Sequence, residues 1–298
     1  EGTYIEKVDV AGPGFINFFL QKDWLYDSVR LIQEKQENYG QIDLGKGIKV
    51  NVEFVSANPT GPLHMGNARG GALGDCLANV LKKAGYDVTK EFYINDAGNQ
   101  IERFGASLEA RYLQIILGAD KVSFPEDGYQ GNDIVEHAQN FYNENGESLM
   151  EKTPEERQQI LVEYALPKNI QKIRNALESY GIVYDVWFSE KTLHESGEVK
   201  KAVDFLTEKG FTVTKEGAIW LNGEKLGLEK DEVLIRNNGV PTYMAADIAY
   251  HYNKFVTRGF DWAIDLWGAD HHGHVARMKA AMEPFGIKGD NLKVVLFQ

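Results

Sequence analysis

Two stretches of this chain carry residues whose types and spacing suit chemistry. The first is Ser56-Ala57-Asn58-Pro59-Thr60-Gly61-Pro62-Leu63-His64-Met65-Gly66-Asn67. Its glycines and prolines shape a turn that brings bare backbone N–H groups up to a phosphate. His64 adds a donor suited to charge developing on a phosphoryl oxygen. Neither His64 nor Asn58 is needed to make a turn, which argues against an ordinary strand-to-helix crossover. The second is Asp270-His271-His272-Gly273-His274. Three histidines and an aspartate so close together could bind a divalent metal. A metal-dependent phosphoesterase is therefore one reading, although no further aspartate cluster lies upstream to complete a two-metal site.

The elements that must position these residues alternate between strand and helix. The apolar run Ile48, Val50, Val52, Phe54, Val55 enters the first turn. After it, Leu73, Leu77, Val80, Leu81 and Ala84 recur at spacings of three and four and predict a helix starting near Met65 and ending at Gly85. Gly66, Ala68, Gly70 and Gly71 allow a ligand or strand to come close. A strand at Val88–Ile94 and a helix at Asn99–Leu117 follow. Later come a helix from Tyr243 to Val256, a strand at Trp262–Trp267, a helix from Val275 to Phe285 and a strand at Lys293–Phe297. This alternation predicts a doubly wound parallel α/β sheet. Its ligands would sit at the carboxyl ends of the strands, where strand order reverses. The expected organisation is the end of an N-terminal additional domain (1–20), a first half of the nucleotide-binding domain (21–117), an α+β insertion (118–240) and a second half (241–298). A hairpin is expected at Phe211–Trp220, with Asn222-Gly223 as its turn.

Composition sets bounds. The chain has 298 residues, 43% of them hydrophobic, and no apolar run near the ~20 residues of a membrane helix. It opens on Glu1, in what reads as strand material, so a piece of a longer protein is expected. A single cysteine, Cys76, excludes an internal disulfide and suggests a reducing, cytoplasmic setting. The helical spacing places it on or beside the apolar face, as a buried small hydrophobe. The net charge is -12, and residues 101–235 hold 15 Lys+Arg against 25 Asp+Glu. Such an acidic middle is a poor surface for a nucleic-acid backbone. His137, His194 and His251 read as surface residues, and Trp267 as a candidate pocket wall.

The first stretch resembles the His-x-Gly-x signature of class I aminoacyl-tRNA synthetases. The longer string from Glu53 to His64 is similar to the arginyl-tRNA synthetase form. Asn238–Tyr250 resembles that family's Tyr-x-x-x-Asp segment, and Leu266–Val275 its Gly-x-Asp nucleotide-binding segment. The chain departs from the signature at Asn67, where a second histidine is usual; Asn donates a neutral hydrogen bond and carries no charge. The resemblance implies a Rossmann-like catalytic domain that ligates L-arginine to tRNA(Arg) through an arginyl-adenylate, using ATP and Mg2+. It implies His64 and Asn67 as catalytic residues, with Pro59, Gly61, Gly66, Gly268, Asp270 and His274 also at the nucleotide. It implies Glu53, Ser56, Asn58, Tyr243, Asp247 and His271 at the amino acid. Chemistry agrees with the carboxylates, because a guanidinium has five N–H donors and no acceptor; the bland alternative is that Glu53 and Asp247 are solvated or salt-bridged. The family's Lys-Met-Ser-Lys-type loop is absent, so residues 1–298 alone are expected to bind substrates without turnover. A monomer is expected, with the main tRNA grip outside this stretch. A non-catalytic adaptor built on the same domain is a further alternative, and Asn67 is its one support.

Overall fold

The computed structural model describes residues 4–298, apart from the side chain of Asp270. Strands β1 (Ile5–Ala11) and β2 (Phe15–Leu20) form an antiparallel hairpin, followed by α1 (Asp23–Lys35), none of whose residues is buried. The body is a five-stranded sheet. Its strands are β3 (Lys49–Glu53), β4 (Asp87–Ile94), β5 (Val186–Ser189), β9 (Trp262–Gly268) and β10 (Leu292–Phe297). They lie in the order β10-β9-β3-β4-β5, and every neighbouring pair is parallel. In order of appearance this is the 3-2-1-4-5 arrangement of a doubly wound fold, with its reversal between β3 and β9.

β5 lies inside the stretch expected to be insertion. The first half of the sheet therefore extends past residue 117. Helices α3 (Asn99–Leu117), α4 (Asn132–Asn145) and α5 (Pro154–Ser179) pack around Phe104, Leu108, Tyr112, Ile134, Phe141 and Leu161 before the chain returns to pair β5 with β4. Beyond it, α6 (Glu190–Glu195) and α7 (Glu198–Glu208) lead to an antiparallel meander of β6 (Thr212–Lys215), β7 (Ala218–Leu221) and β8 (Glu232–Ile235). The hairpin turn is Glu216-Gly217, both at positive φ (50° and 78°), as a two-residue turn of this hand requires. Asn222-Gly223 instead begins the connection to β8.

Helix α2 (Met65–Lys83) starts where the sequence predicts, and Leu77 and Leu81 of the expected stripe pack half-buried on the apolar cluster, but its most buried positions are small residues. Gly70, Gly71, Gly74 and Ala78 are buried, whereas Leu73 and Val80 are 43% and 64% exposed. A Cβ on Gly74 would lie 2.2 Å from the Phe54 ring, and one on Gly70 2.6 Å from Phe297. The helix thus sits with its backbone close against Phe54 and Phe297, which turns Leu73 and Val80 outward. The same rotation exposes Cys76, contrary to the expected burial.

The two faces of the sheet differ chemically. Val50, Val52, Phe54, Val88, Phe92, Ile264 and Leu266 share one apolar cluster. On the other face Glu53 stands beside both Glu91 and Asp265. Helix α8 (Tyr243–Tyr252), the π-helical segment Asn253–Thr257 and Arg258 just after it supply most of the groups that meet these three carboxylates.

Candidate active site

Strand β3 ends at Glu53, and the chain then turns sharply. Ser56 N–H donates to the Phe54 carbonyl at 3.0 Å, with Val55 and Ser56 at φ 69° and 38°. A β-branched residue in this region is strained by about 1–3 kcal/mol. The turn aims Ser56 Oγ back at the strand end: it donates to Glu53 Oε1 at 2.9 Å and accepts from Tyr93 N–H at 3.1 Å.

Further along, His64 is the N-cap of α2. Its Nδ1 accepts from Gly66 N–H at 3.1 Å, and Asn67 Oδ1 accepts from His64 N–H at 3.0 Å, closing a capping box. Asn67 therefore has a structural task that its carboxamide performs well. With Nδ1 accepting, the hydrogen of a neutral His64 ring stands on Nε2 as an outward donor. The turn is tied from behind by the inserted helices. Asn169 of α5 donates to the Pro59 carbonyl at 3.0 Å, and His137 Nε2 meets Asn169 Oδ1 at 2.6 Å. His137 is buried, not at the surface as the sequence suggests, and burial lowers its pKa.

At the carboxyl ends of β3 and β9 lies a cavity of about 230 Å³. It brings together six of the expected residues: Glu53, Ser56, Asp247, Gly268, His271 and His274. Asp247 Oδ2 accepts from His274 Nε2 at 3.0 Å. Trp267 also lines it, its ring 5.4 Å from that of His274. The remaining expected residues lie elsewhere. Asn58 is exposed, and Tyr243 is 67% exposed with its ring 6.1 Å from that of His274. Pro59, Gly61, His64, Gly66 and Asn67 form the turn and helix start, outside the cavity lining. Gly61 borders a second cavity of about 230 Å³ with Asp133, Asn169 and Lys172. Asp270 has its backbone in the turn Ala269–His271; its side chain lies outside the described residues. Among the described residues, no three His, Cys, Asp or Glu side chains group as metal ligands.

Behind the cavity is an ionic layer that the sequence reading missed. Lys254 Nζ donates to Glu53 Oε2 at 2.7 Å and to Asp265 Oδ1 at 2.8 Å. His251 is also buried: Nε2 meets Asp265 Oδ2 at 2.8 Å and Nδ1 meets the Asp247 carbonyl at 2.8 Å. Both nitrogens face acceptors, so both bonds form together only when both carry hydrogen. Glu91 is held by Tyr250 and Arg258. Burial pushes the Glu53 carboxyl up, and Lys254 opposes that only in part. For Asp265 the upward push of burial is overcome by Lys254 and His251, which hold it well below the usual carboxylate range. Burial pulls Lys254 down, but Asp265 and then Glu53 outweigh it and raise it. The available signal was a tyrosine, histidine and lysine at 250, 251 and 254, on adjacent turns of one helix that also carries Ile248, Ala249, Phe255 and Val256.

The site thus offers two carboxylates on one cavity, and the turn that leaves β3 from its rim leads on to a helix N-terminus capped by histidine. Residues 28–295 match the family model "tRNA synthetases class I (R), catalytic domain". The arginine–tRNA ligase of Acetivibrio thermocellus is 64% identical over 296 residues, 99% of this chain and 52% of that protein. That of Ruminiclostridium cellulolyticum is 64% identical over 298 residues, 100% of this chain and 53% of that protein. A crystal structure from Campylobacter jejuni, provisionally assigned to the arginyl-tRNA synthetases, superposes with a TM-score of 0.84 at 36% identity, covering 94% of this chain and 60% of that one. The chain spans about half the length of the curated relatives it matches.

Proposed function

This chain belongs to the class I arginyl-tRNA synthetase family as its catalytic domain, and we propose that within the whole protein it activates L-arginine with ATP and passes it to tRNA(Arg). The observation that supports this most is the convergence of Glu53 and Asp247 on one cavity at the reversal point of the sheet. The guanidinium lies between these carboxylates, each charge-assisted hydrogen bond contributing about 1.5–3 kcal/mol. Lysine would leave acceptors unpaired, so discrimination of roughly 10⁴ needs no editing site.

ATP lies along the turn from Pro59 to Asn67, with Gly268 and His274 toward the nucleoside. Mg2+ would come with ATP rather than be held by the described side chains of this site, and would offset phosphate charge there. The arginine carboxylate attacks the α-phosphorus, giving arginyl-adenylate and pyrophosphate; the terminal ribose hydroxyl of tRNA then takes the arginyl group. No enzyme nucleophile is required. The domain's part is alignment, together with donors from His64 and the start of α2 aimed at phosphate charge. Family membership sets aside the phosphoesterase alternative. Among the described residues no helix is long and apolar enough to cross a membrane. The acidic stretch 101–235 supports a tRNA grip outside this domain.

The full-length protein is expected to charge tRNA with radiolabelled arginine in the presence of ATP, and not with lysine. Absence of both arginylation and arginine binding overturns the reading. Arginine binding without arginylation favours the adaptor alternative instead.

A further inference from the structure

Lys254 is fully buried (0% exposed) and has no part in the chemistry above. A buried ion pair is often no more stabilising than apolar residues of the same volume, so retaining this ammonium calls for a task. Its position is well defined. The π-helical segment carries it onto the polar face of the sheet, 2.7 Å from Glu53 Oε2, 2.8 Å from Asp265 Oδ1 and 4.3 Å from the Tyr250 ring centre. π-Helical turns recur at functional sites.

We propose that Lys254 is a positioning residue for arginine selection: it grips Glu53 Oε2 while Ser56 Oγ grips Oε1, fixing the carboxylate as a two-acceptor edge on the cavity. This rests on the reading of Glu53 as a guanidinium partner. Each carboxylate oxygen offers about two lone-pair sites. One on each is occupied, which leaves a pair at the spacing of a guanidinium fork.

The groups facing Glu53 make Lys254 the decisive one. Asp265 comes from β9, Glu91 and Tyr93 from β4, and Tyr250 and His251 from α8, while Asp247, His271 and His274 share the cavity wall. Three buried carboxylates crowd this face. Among the described residues Lys254 is the cation that touches Glu53, and it is shared with Asp265. Without it, burial and the neighbouring acids push the Glu53 carboxyl up unopposed, toward the neutral form that cannot offer two acceptors to a cation.

The test uses the full-length enzyme, with KM for arginine and for ATP measured from about pH 6 to 9.5. Lys254→Met is expected to raise the arginine KM at least about tenfold at neutral pH, leave the ATP KM within about twofold, and move the acid limb of the arginine profile up by roughly one pH unit. Lys254→Arg restores the profile. Asp265→Asn leaves the ammonium to Glu53 alone and moves the limb to lower pH. Parallel loss of both KM values with an unshifted profile overturns the proposal, as does no loss at all. If Lys254→Met does not fold, Asp265→Asn decides: an unmoved limb overturns it. Glu53→Gln separates the two levels of inference. An unchanged arginine KM in Glu53→Gln removes the parent reading, whereas a raised one beside an unshifted Lys254→Met profile removes only the role of Lys254.

Discussion

Replacing Asp247 by asparagine tests the arginine site with little change of shape. Asp247 lines the cavity, and its Oδ2 accepts from His274 Nε2 at 3.0 Å. Asparagine retains an oxygen for that bond, so the wall around His274 stays in place and only the charge is lost. A charge-assisted hydrogen bond contributes about 1.5–3 kcal/mol, equivalent to roughly 10- to 150-fold in affinity. The Asp247 side chain is 33% exposed, and water screens it. The lower end, about tenfold, is therefore expected. Calorimetric titration of the full-length variant with arginine, and in parallel with ATP, reads this directly. Arginine affinity should fall about tenfold while ATP affinity changes by less than about twofold. Equal arginine affinity in variant and wild type would take Asp247 out of the site, and with it the argument that two carboxylates select the guanidinium. Equal weakening toward both ligands would show instead that the substitution had disturbed the cavity as a whole.

Two further predictions concern stability. Gly74→Ala should destabilise the fold by roughly 1–3 kcal/mol, because the new Cβ falls 2.2 Å from the Phe54 ring and overpacking outweighs a helix-propensity gain of about 1 kcal/mol. Gly273→Ala, with nothing within 4 Å of its Cβ, should be neutral or stabilise by up to about 1 kcal/mol; urea midpoints compare the two, and the reverse order would refute the packing argument. His137 is held below its ordinary range by burial, so its protonation favours the unfolded chain. Its contribution is complete above about pH 6.5 and declines as pH falls through the lowered folded value. Thermal melts across that interval should show a shallower acid limb in His137→Gln, which can still donate to Asn169.

What was legible in the sequence follows from which physical signals are local. The motif turn, the start of α2 at Met65 and the alternation that builds the parallel sheet are written in short-range chemistry, and the fold carries them. The orientation of α2 is not local. Leu73, Leu77, Val80, Leu81 and Ala84 make an apolar stripe by spacing, but close approach to Phe54 and Phe297 centres the buried face on the glycines; Leu77 and Leu81 keep contact with the core, whereas Leu73, Val80 and Cys76 turn outward. β5 escaped notice because a four-residue strand after three long helices carries too little periodicity. Of the expected site, Glu53 and Asp247 do share a cavity. His251 reads as a surface residue because its burial depends on β9 packing back on the helix to present Asp265, and Lys254 gave no separate signal because its other acceptor, Glu53, lies 201 residues away. Asn67 shows the converse. As a departure from a signature it suggests a deficit, whereas in the fold it closes the cap of α2.

The hydrogen bond from Asn169 to the Pro59 carbonyl spans 110 residues and joins the middle of α5 to the turn proposed for ATP. Loosening of that helix, by a substitution on its far side or by a partner pressing on it, would reach the phosphate loop without touching any residue of the pocket. Kinetic defects in nucleotide use can therefore originate in a part of the chain that holds no substrate, and variants there should be examined for altered ATP response before being dismissed as merely unstable.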